Sequence, residues 1–386
     1  MAVSEVRRRL GLAIAAALVA GMIAALGVEV WVRATWDEKK GTPGFFLSDP
    51  VRGQRLAANY TGWFAGVPVH INSLELRDNR EYSLAKSPTT FRILMLGDSV
   101  TFGHGSVEAH TYPYLLEQRL KAWRAEIDWQ VLNAAVPGYN TRQELAQLRE
   151  IGPKLQPDLV IVGFFPNDLV DNAEVPAPGL IKRGAYRALA FARRHLYSFE
   201  LYKRIGLTIA WKLTAARDYR LRVENLADEE ALLSSVSDAS KLPEQQLTPY
   251  DLLTDEQIRE ANCTWGGRSG ATNLDEVRRA PEFREWEQAV RGFQQLNASH
   301  AYRIVFFVNA VPPPCWGSDV FFDDGSSDLN AMYMQVMGAG TPAVSCYGAF
   351  LRLRPSQMPN ARAHAIGNSN AVKADVLFGF LRDHVL

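Results

Sequence analysis

Apolar and polar positions change rhythm three times along this chain. From Leu10 to Val28, nineteen consecutive residues carry no charge, and Ala, Leu, Val and Ile dominate. At 1.5 Å rise per residue, a helix of about 20 such residues crosses the ~30 Å hydrocarbon core of a bilayer. A cleaved signal peptide has a shorter apolar region, about 7–15 residues, ahead of a small-x-small site. Ala25-Leu26-Gly27 is a fair match to such a site. The length of the run favours a retained anchor, over about residues 10–32 within an N-terminal segment 1–40. Arg7, Arg8 and Arg9 precede the run and Arg33, Lys39 and Lys40 follow it, so the positive-inside count is level. The basic cluster abutting the N-terminal end reads as a signal-anchor, with the large domain on the extracytoplasmic (periplasmic or extracellular) face.

Residues 41–90 are rich in Gly, Pro and Asn, with short alternating segments such as Val67–Ile71. That pattern predicts a small, loop-rich β element. From residue 91 the rhythm changes again. Short apolar runs at Arg92–Leu96, Trp129–Leu132, Leu159–Phe164, Arg303–Val308 and Ala343–Ser345 predict buried parallel strands. Helical periodicity over Tyr114–Ile127, Gln143–Leu155 and Asp375–Val385 alternates with them. Strand and helix in alternation predict a three-layer α/β/α sandwich with a parallel, flavodoxin-like sheet, built from residues 91–175 and 301–386.

A long, mainly helical insertion, residues 176–300, interrupts that alternation. It is split by charge. Leu180–Arg222 holds eleven basic and two acidic residues, and Val223–Asn262 holds two basic and ten acidic. Two solvated faces that pair with each other explain this. The sharper alternative is a basic half lying on anionic lipid headgroups. Ile205–Trp211 suits a core helix better than a membrane contact.

Composition narrows the function classes. With 42 Lys+Arg against 42 Asp+Glu, the chain lacks the cationic excess of a nucleic-acid binder. Cys263, Cys315 and Cys346 are too few and too scattered for a zinc site or a disulfide framework. Asp323, Asp324 and Asp328 form an acidic loop with no His or Cys near them, so no metal and no cofactor is expected.

The chemistry concentrates where strands end. The first core strand runs into Gly97-Asp98-Ser99. Functional groups collect at the carboxyl ends of strands in open parallel sheets. Glycine permits a sharp turn there, and a serine so placed is a nucleophile if a base is near. The second strand leads to Gly138, with a flexible backbone N–H, and the third to Asn167, with a side-chain amide. One serine and two donors at three successive strand ends are the parts of an oxyanion hole. Asp98 and Asp168 read as turn-fixing residues beside that site. His104, next after Gly103, reads as a surface-loop residue in preference to one facing the cleft.

From about residue 60 to the C-terminus, the insertion excepted, the chain resembles the SGNH (GDSL-type) hydrolase family. Gly97-Asp-Ser-Val-Thr-Phe-Gly103 is similar to the family's first block, Gly138 to its second-block glycine and Asn167 to its third-block asparagine. Ile71–Asp78 is similar to a segment that precedes the first block in membrane-anchored members. The resemblance implies Ser99 as nucleophile, with the Ser99 N–H, Gly138 and Asn167 as oxyanion hole. Phe165 departs from the pattern, which has Gly at that place.

The family's last block carries an Asp and a His two or three residues apart. Here the region reads Pro355-Ser-Gln-Met-Pro-Asn-Ala-Arg-Ala-His364. In one alignment Met358 replaces the base and the site is dead. In the other His364 is the base, without an Asp at the family spacing, and a backbone carbonyl or an amide such as Asn360 or Asn368 orients it. By role His364 is favoured. Two functions follow. The first is a membrane-anchored serine esterase or acyltransferase for acyl or O-acetyl esters, including those of polysaccharides and lipids. The second is a degenerate relative that binds a carbohydrate, a lipid or a protein partner.

Overall fold

The computed structural model describes residues 2–169, 189–213, 274–312, 314–315, 320–321, 326–353 and 368–386. Helix α1 (Ala2–Thr35) contains the long apolar run, and its most apolar window has a mean hydropathy of 2.3 with none of it buried. Two antiparallel hairpins follow. Strand β1 (Phe46–Asp49) pairs with β2 (Gly53–Leu56), and β3 (Tyr60–Phe64) pairs with β4 (Val67–Ile71). Phe45, Tyr60, Val69 and Ile71 from this region share a core with Phe102, Val136 and Tyr139. The hairpins are thereby packed onto the loops at one end of the main sheet.

That sheet has five strands: β5 (Thr90–Gly97), β6 (Asp128–Asn133), β7 (Leu159–Phe164) and β8 (Ile304–Val308), then, beyond the short pair β9 (Pro314–Cys315) and β10 (Val320–Phe321), β11 (Ala343–Ser345). The strands lie in the order β6-β5-β7-β8-β11, all parallel. Each matches a predicted apolar run to within a few residues. Both faces of the central strands are covered, which is why β7 and β8 are apolar throughout instead of alternating.

The helices in chain order are α2 (Ser99–Phe102), α3 (Tyr112–Trp123), α4 (Thr141–Leu155), α5 (Tyr197–Leu213), α6 (Leu274–Arg279), α7 (Pro281–Ala298), α8 (Ser326–Met337), α9 (Tyr347–Phe350) and α10 (Asn368–His384). Successive strand residues point to opposite faces. Leu94, Leu96, Val160, Val162, Ile304 and Phe306 meet Leu145 and Leu148 of α4, Trp286 and Phe293 of α7, and Met332 of α8. Ile93, Met95, Ile161, Val305 and Phe307 meet Leu116 and Leu120 of α3, Phe350 of α9, and Leu377 and Leu381 of α10. Helix α7 therefore belongs to the α/β layers, although its sequence position falls within 176–300.

Helix starts lie earlier than the apolar periodicity predicts because polar caps extend them. Asn140 accepts from Gln143 N while Gln143 Oε1 accepts from Asn140 N, a reciprocal cap that begins α4 at Thr141. Thr111 caps α3, with Pro113 in the first turn, where its missing N–H costs nothing. At α10 the early residues are polar and buried, and Asn370 Nδ2 donates to Ser106 Oγ at 3.2 Å. Most of the insertion, with Cys263, Asp323 and Asp324, lies outside the described residues, and Asp328 sits in the first turn of α8.

Candidate functional site

In this strand order the direction of winding across the sheet reverses beside β5, since β6 lies on one side of it and β7 on the other. Crevices for ligands form at such a switch point, outside the carboxyl ends of the strands. Gly97, Asp98 and Ser99 occupy that position. Asp98 takes the cap position of α2 and accepts from Val100 N at 2.9 Å. Ser99 is the first helical residue, 8% exposed, with Oγ 3.4 Å from Asp98 Oδ2. The N–H of a first helical residue lies outside the helix's own ladder.

Gly97 serves closeness of approach more than a turn. A Cβ at Gly97, or at Gly163 in the neighbouring strand, would collide with Thr101 Oγ1 of α2. Thr101 in turn accepts from Tyr112 OH at 2.8 Å. Two adjacent strands thus forgo side chains so that the short helix carrying Ser99 can press onto the sheet.

Beyond β6 the backbone continues to bond to β5, with Val136 N donating to Gly97 O at 3.0 Å. It then turns. Tyr139 N donates to Val136 O at 3.1 Å around Pro137 and Gly138. With φ of 80° at Gly138 this is a type II turn, which requires a residue tolerant of positive φ at its third position. Gly138 is exposed.

Beyond β7 a single tight helical turn, Pro166–Leu169, carries Asn167 outward and Asp168 inward. Asp168 N donates to Phe165 O at 2.9 Å, and its Oδ2 lies 3.4 Å from both Thr141 Oγ1 and Phe165 N. Burial, then the charges of Glu144 and Asp98, hold the Asp168 carboxyl well above the usual range. Glu144, in the first turn of α4, is raised by burial and by Asp98, and neither of its oxygens has a hydrogen-bond partner among the described residues. Two buried carboxyls, both pushed toward the neutral form, therefore underlie the crevice. Lys373 of α10 is also buried, and its ammonium is pushed down by burial and drawn up by Cys346 and Asp98.

Ser99, Gly138 and Asn167 thus lie at the carboxyl ends of three adjacent strands, with Asp98 and Asp168 beside them. His364 and Met358 lie outside the described residues. His104 is half-buried in its loop, with its ring edge-on to Phe64 at 5.3 Å. Sequence reasoning did not identify Thr101, Glu144 or Lys373. Of the three, only Glu144 falls in a predicted helix, where its polarity read as a surface position.

The model of the GDSL-like lipase/acylhydrolase family matches residues 95–364. Among solved structures, a catalytic mutant of Axe2, an acetylxylan esterase from Geobacillus stearothermophilus, is 14% identical with a TM-score of 0.38, covering 76% of this chain and 93% of that one. LAE5, an alpha/beta hydrolase enzyme from the metagenome of Lake Arreo, Spain, is 15% identical with a TM-score of 0.35, covering 75% of this chain and 94% of that one. No curated protein matches this chain.

Proposed function

Since this chain belongs to the GDSL-like lipase/acylhydrolase family, we propose that it is a membrane-anchored serine esterase or acyltransferase acting on acyl or O-acetyl esters. The observation that carries the reading is the position of Ser99, at the switch point of the sheet, between two loops that bear amide donors. Ser99 Oγ attacks the ester carbonyl while His364 removes its proton. Negative charge develops on the carbonyl oxygen, and the N–H groups of Ser99 and Gly138 with the Asn167 side chain receive it. The tetrahedral intermediate expels the alcohol, which takes the proton from His364. Water, or a sugar or lipid hydroxyl, then attacks the acyl-serine with His364 again as base, and Ser99 is released. Losing one oxyanion donor costs about 10²–10³ in kcat.

The anchor reading gains support from where α1 ends. Its apolar run stops at Val28, and the next turn belongs to the folded domain: Glu29 accepts from Ser198 N and Oγ at 2.9 and 2.6 Å. Bilayer and domain share one continuous helix, with the large domain assigned to the extracytoplasmic face.

The test is hydrolysis of a short acyl ester by the full chain in detergent. Ser99→Ala is expected to abolish it, and His364→Ala to lower it by two orders of magnitude or more, roughly the scale of losing a triad member. Equal rates in all three proteins would leave the degenerate, ligand-binding reading in its place.

A further inference from the structure

The Pro137–Gly138 peptide is gripped by a residue from outside all three strand-end loops. Gln54 of β2 donates from Nε2 to Pro137 O at 2.9 Å, and its Oε1 accepts from Arg193 Nη2 at 3.2 Å. The cation fixes which end of the amide faces the carbonyl, because guanidinium only donates and a carbonyl only accepts. The backbone of the same hairpin brackets the loop further on. Tyr139 OH donates to Gln54 O at 2.6 Å, and Gln143 Nε2 donates to Arg52 O at 2.6 Å.

The turn itself has two accessible forms. Types I and II differ mainly by a flip of the central peptide, and proline suits the second position of both. Glycine at the third position accepts either sign of φ. Local sequence therefore leaves the direction of this peptide open. A peptide bond is planar and trans, so its C=O and N–H point in opposite directions. A Pro137 carbonyl held on the β2 side turns the Gly138 N–H away from β2, and the flipped form reverses it. The Nε2 atom of Gln54 lies 3.5 Å from where a Gly138 Cβ would stand, so the amide is seated directly against this peptide.

We propose that Gln54 is a positioning residue: its amide, oriented by Arg193, locks the Pro137–Gly138 peptide in the flip that presents the Gly138 N–H as an oxyanion donor. The inference rests on the serine-hydrolase reading of Ser99. It adds the small N-terminal hairpin to the catalytic apparatus, through a residue that touches no substrate.

The experiment compares the full chain with Gln54→Glu and Gln54→Met, using a short acyl ester and a fluorophosphonate that titrates Ser99. Gln54→Glu keeps the size and the contact with Arg193 but sets an oxygen against Pro137 O. Gln54→Met keeps the size and removes both bonds. In both, kcat per titrated site is expected to fall about 10–100-fold with KM changed less than about threefold, since one oxyanion donor is weakened and not removed. A purely structural role would lower the melting temperature and the titratable fraction, leaving kcat per titrated site unchanged. Unchanged kcat per site in both variants overturns the inference while the serine reading stands. A parent chain that neither turns over the ester nor is labelled at Ser99 overturns both.

Discussion

At the residue scale the site is organised by what is missing as much as by what is present. Gly97 and Gly163 face Thr101 so closely that neither has room for a Cβ. Gly163→Ala forces the new methyl onto Thr101 Oγ1 and to within 2.7 Å of Tyr112 OH, in a core with no slack. Overpacking of this kind costs about 1–3 kcal/mol, read by urea unfolding. Because Thr101 lies two residues after Ser99, esterase activity falls with it. Thr101→Ala removes the nearer of the two obstacles, so Gly163→Ala with Thr101→Ala is expected to be more stable than the sum of the single losses. Additive losses would mean that Thr101 is not the obstacle.

At the element scale the most consequential contact joins two helices far apart in the chain. Helix α5 begins at Tyr197 with N–H groups that need acceptors. The acceptor is Glu29 of α1, which receives Tyr197 N at 3.1 Å besides Ser198 N and Oγ. Arg33 Nη2 donates to His195 O at 2.5 Å, and its guanidinium lies 5.0 Å from the Tyr197 ring centroid. One carboxylate thus caps a helix more than 160 residues away in sequence. Glu29→Ala leaves those donors without their acceptor and should cost the start of α5 about 1 kcal/mol, the usual worth of a helix cap. Hydrogen exchange over residues 197–203 is then expected to quicken roughly fivefold, with the strands of the main sheet unchanged. Equal acceleration throughout the domain would refute a local cap.

At the scale of the whole molecule, an apolar helix and a folded domain meet without a free tether. The linker after α1 is itself tied down: Trp36 Nε1 donates to Gly41 O and Thr42 N to Trp63 O, each at 2.9 Å. Next to this junction Phe191 and Tyr202 are 62% and 58% exposed, with the exposed Arg194 and Lys203 interspersed. Exposed aromatic and basic side chains of this kind suit a bilayer interface. The full chain is expected to stay in the membrane pellet through alkaline carbonate, with an intact mass that includes residues 1–27. A soluble product lacking them would identify the run as a cleaved signal.

Much of the fold was legible in advance for a physical reason. Strands buried on both faces must be apolar along their length, and Leu159–Phe164 announces itself at its observed bounds. Family blocks at strand ends likewise follow from local sequence, which is how Ser99, Gly138 and Asn167 come into view as candidates. Contacts between segments distant in sequence leave no local trace. Nothing in the hairpin pattern of residues 46–56 points to Gln54 against Pro137, and nothing in an apolar helix points to Glu29 as the cap of another. Tertiary structure alone decides those, because a hydrogen bond depends on separation in space and a one-dimensional pattern records only separation along the chain.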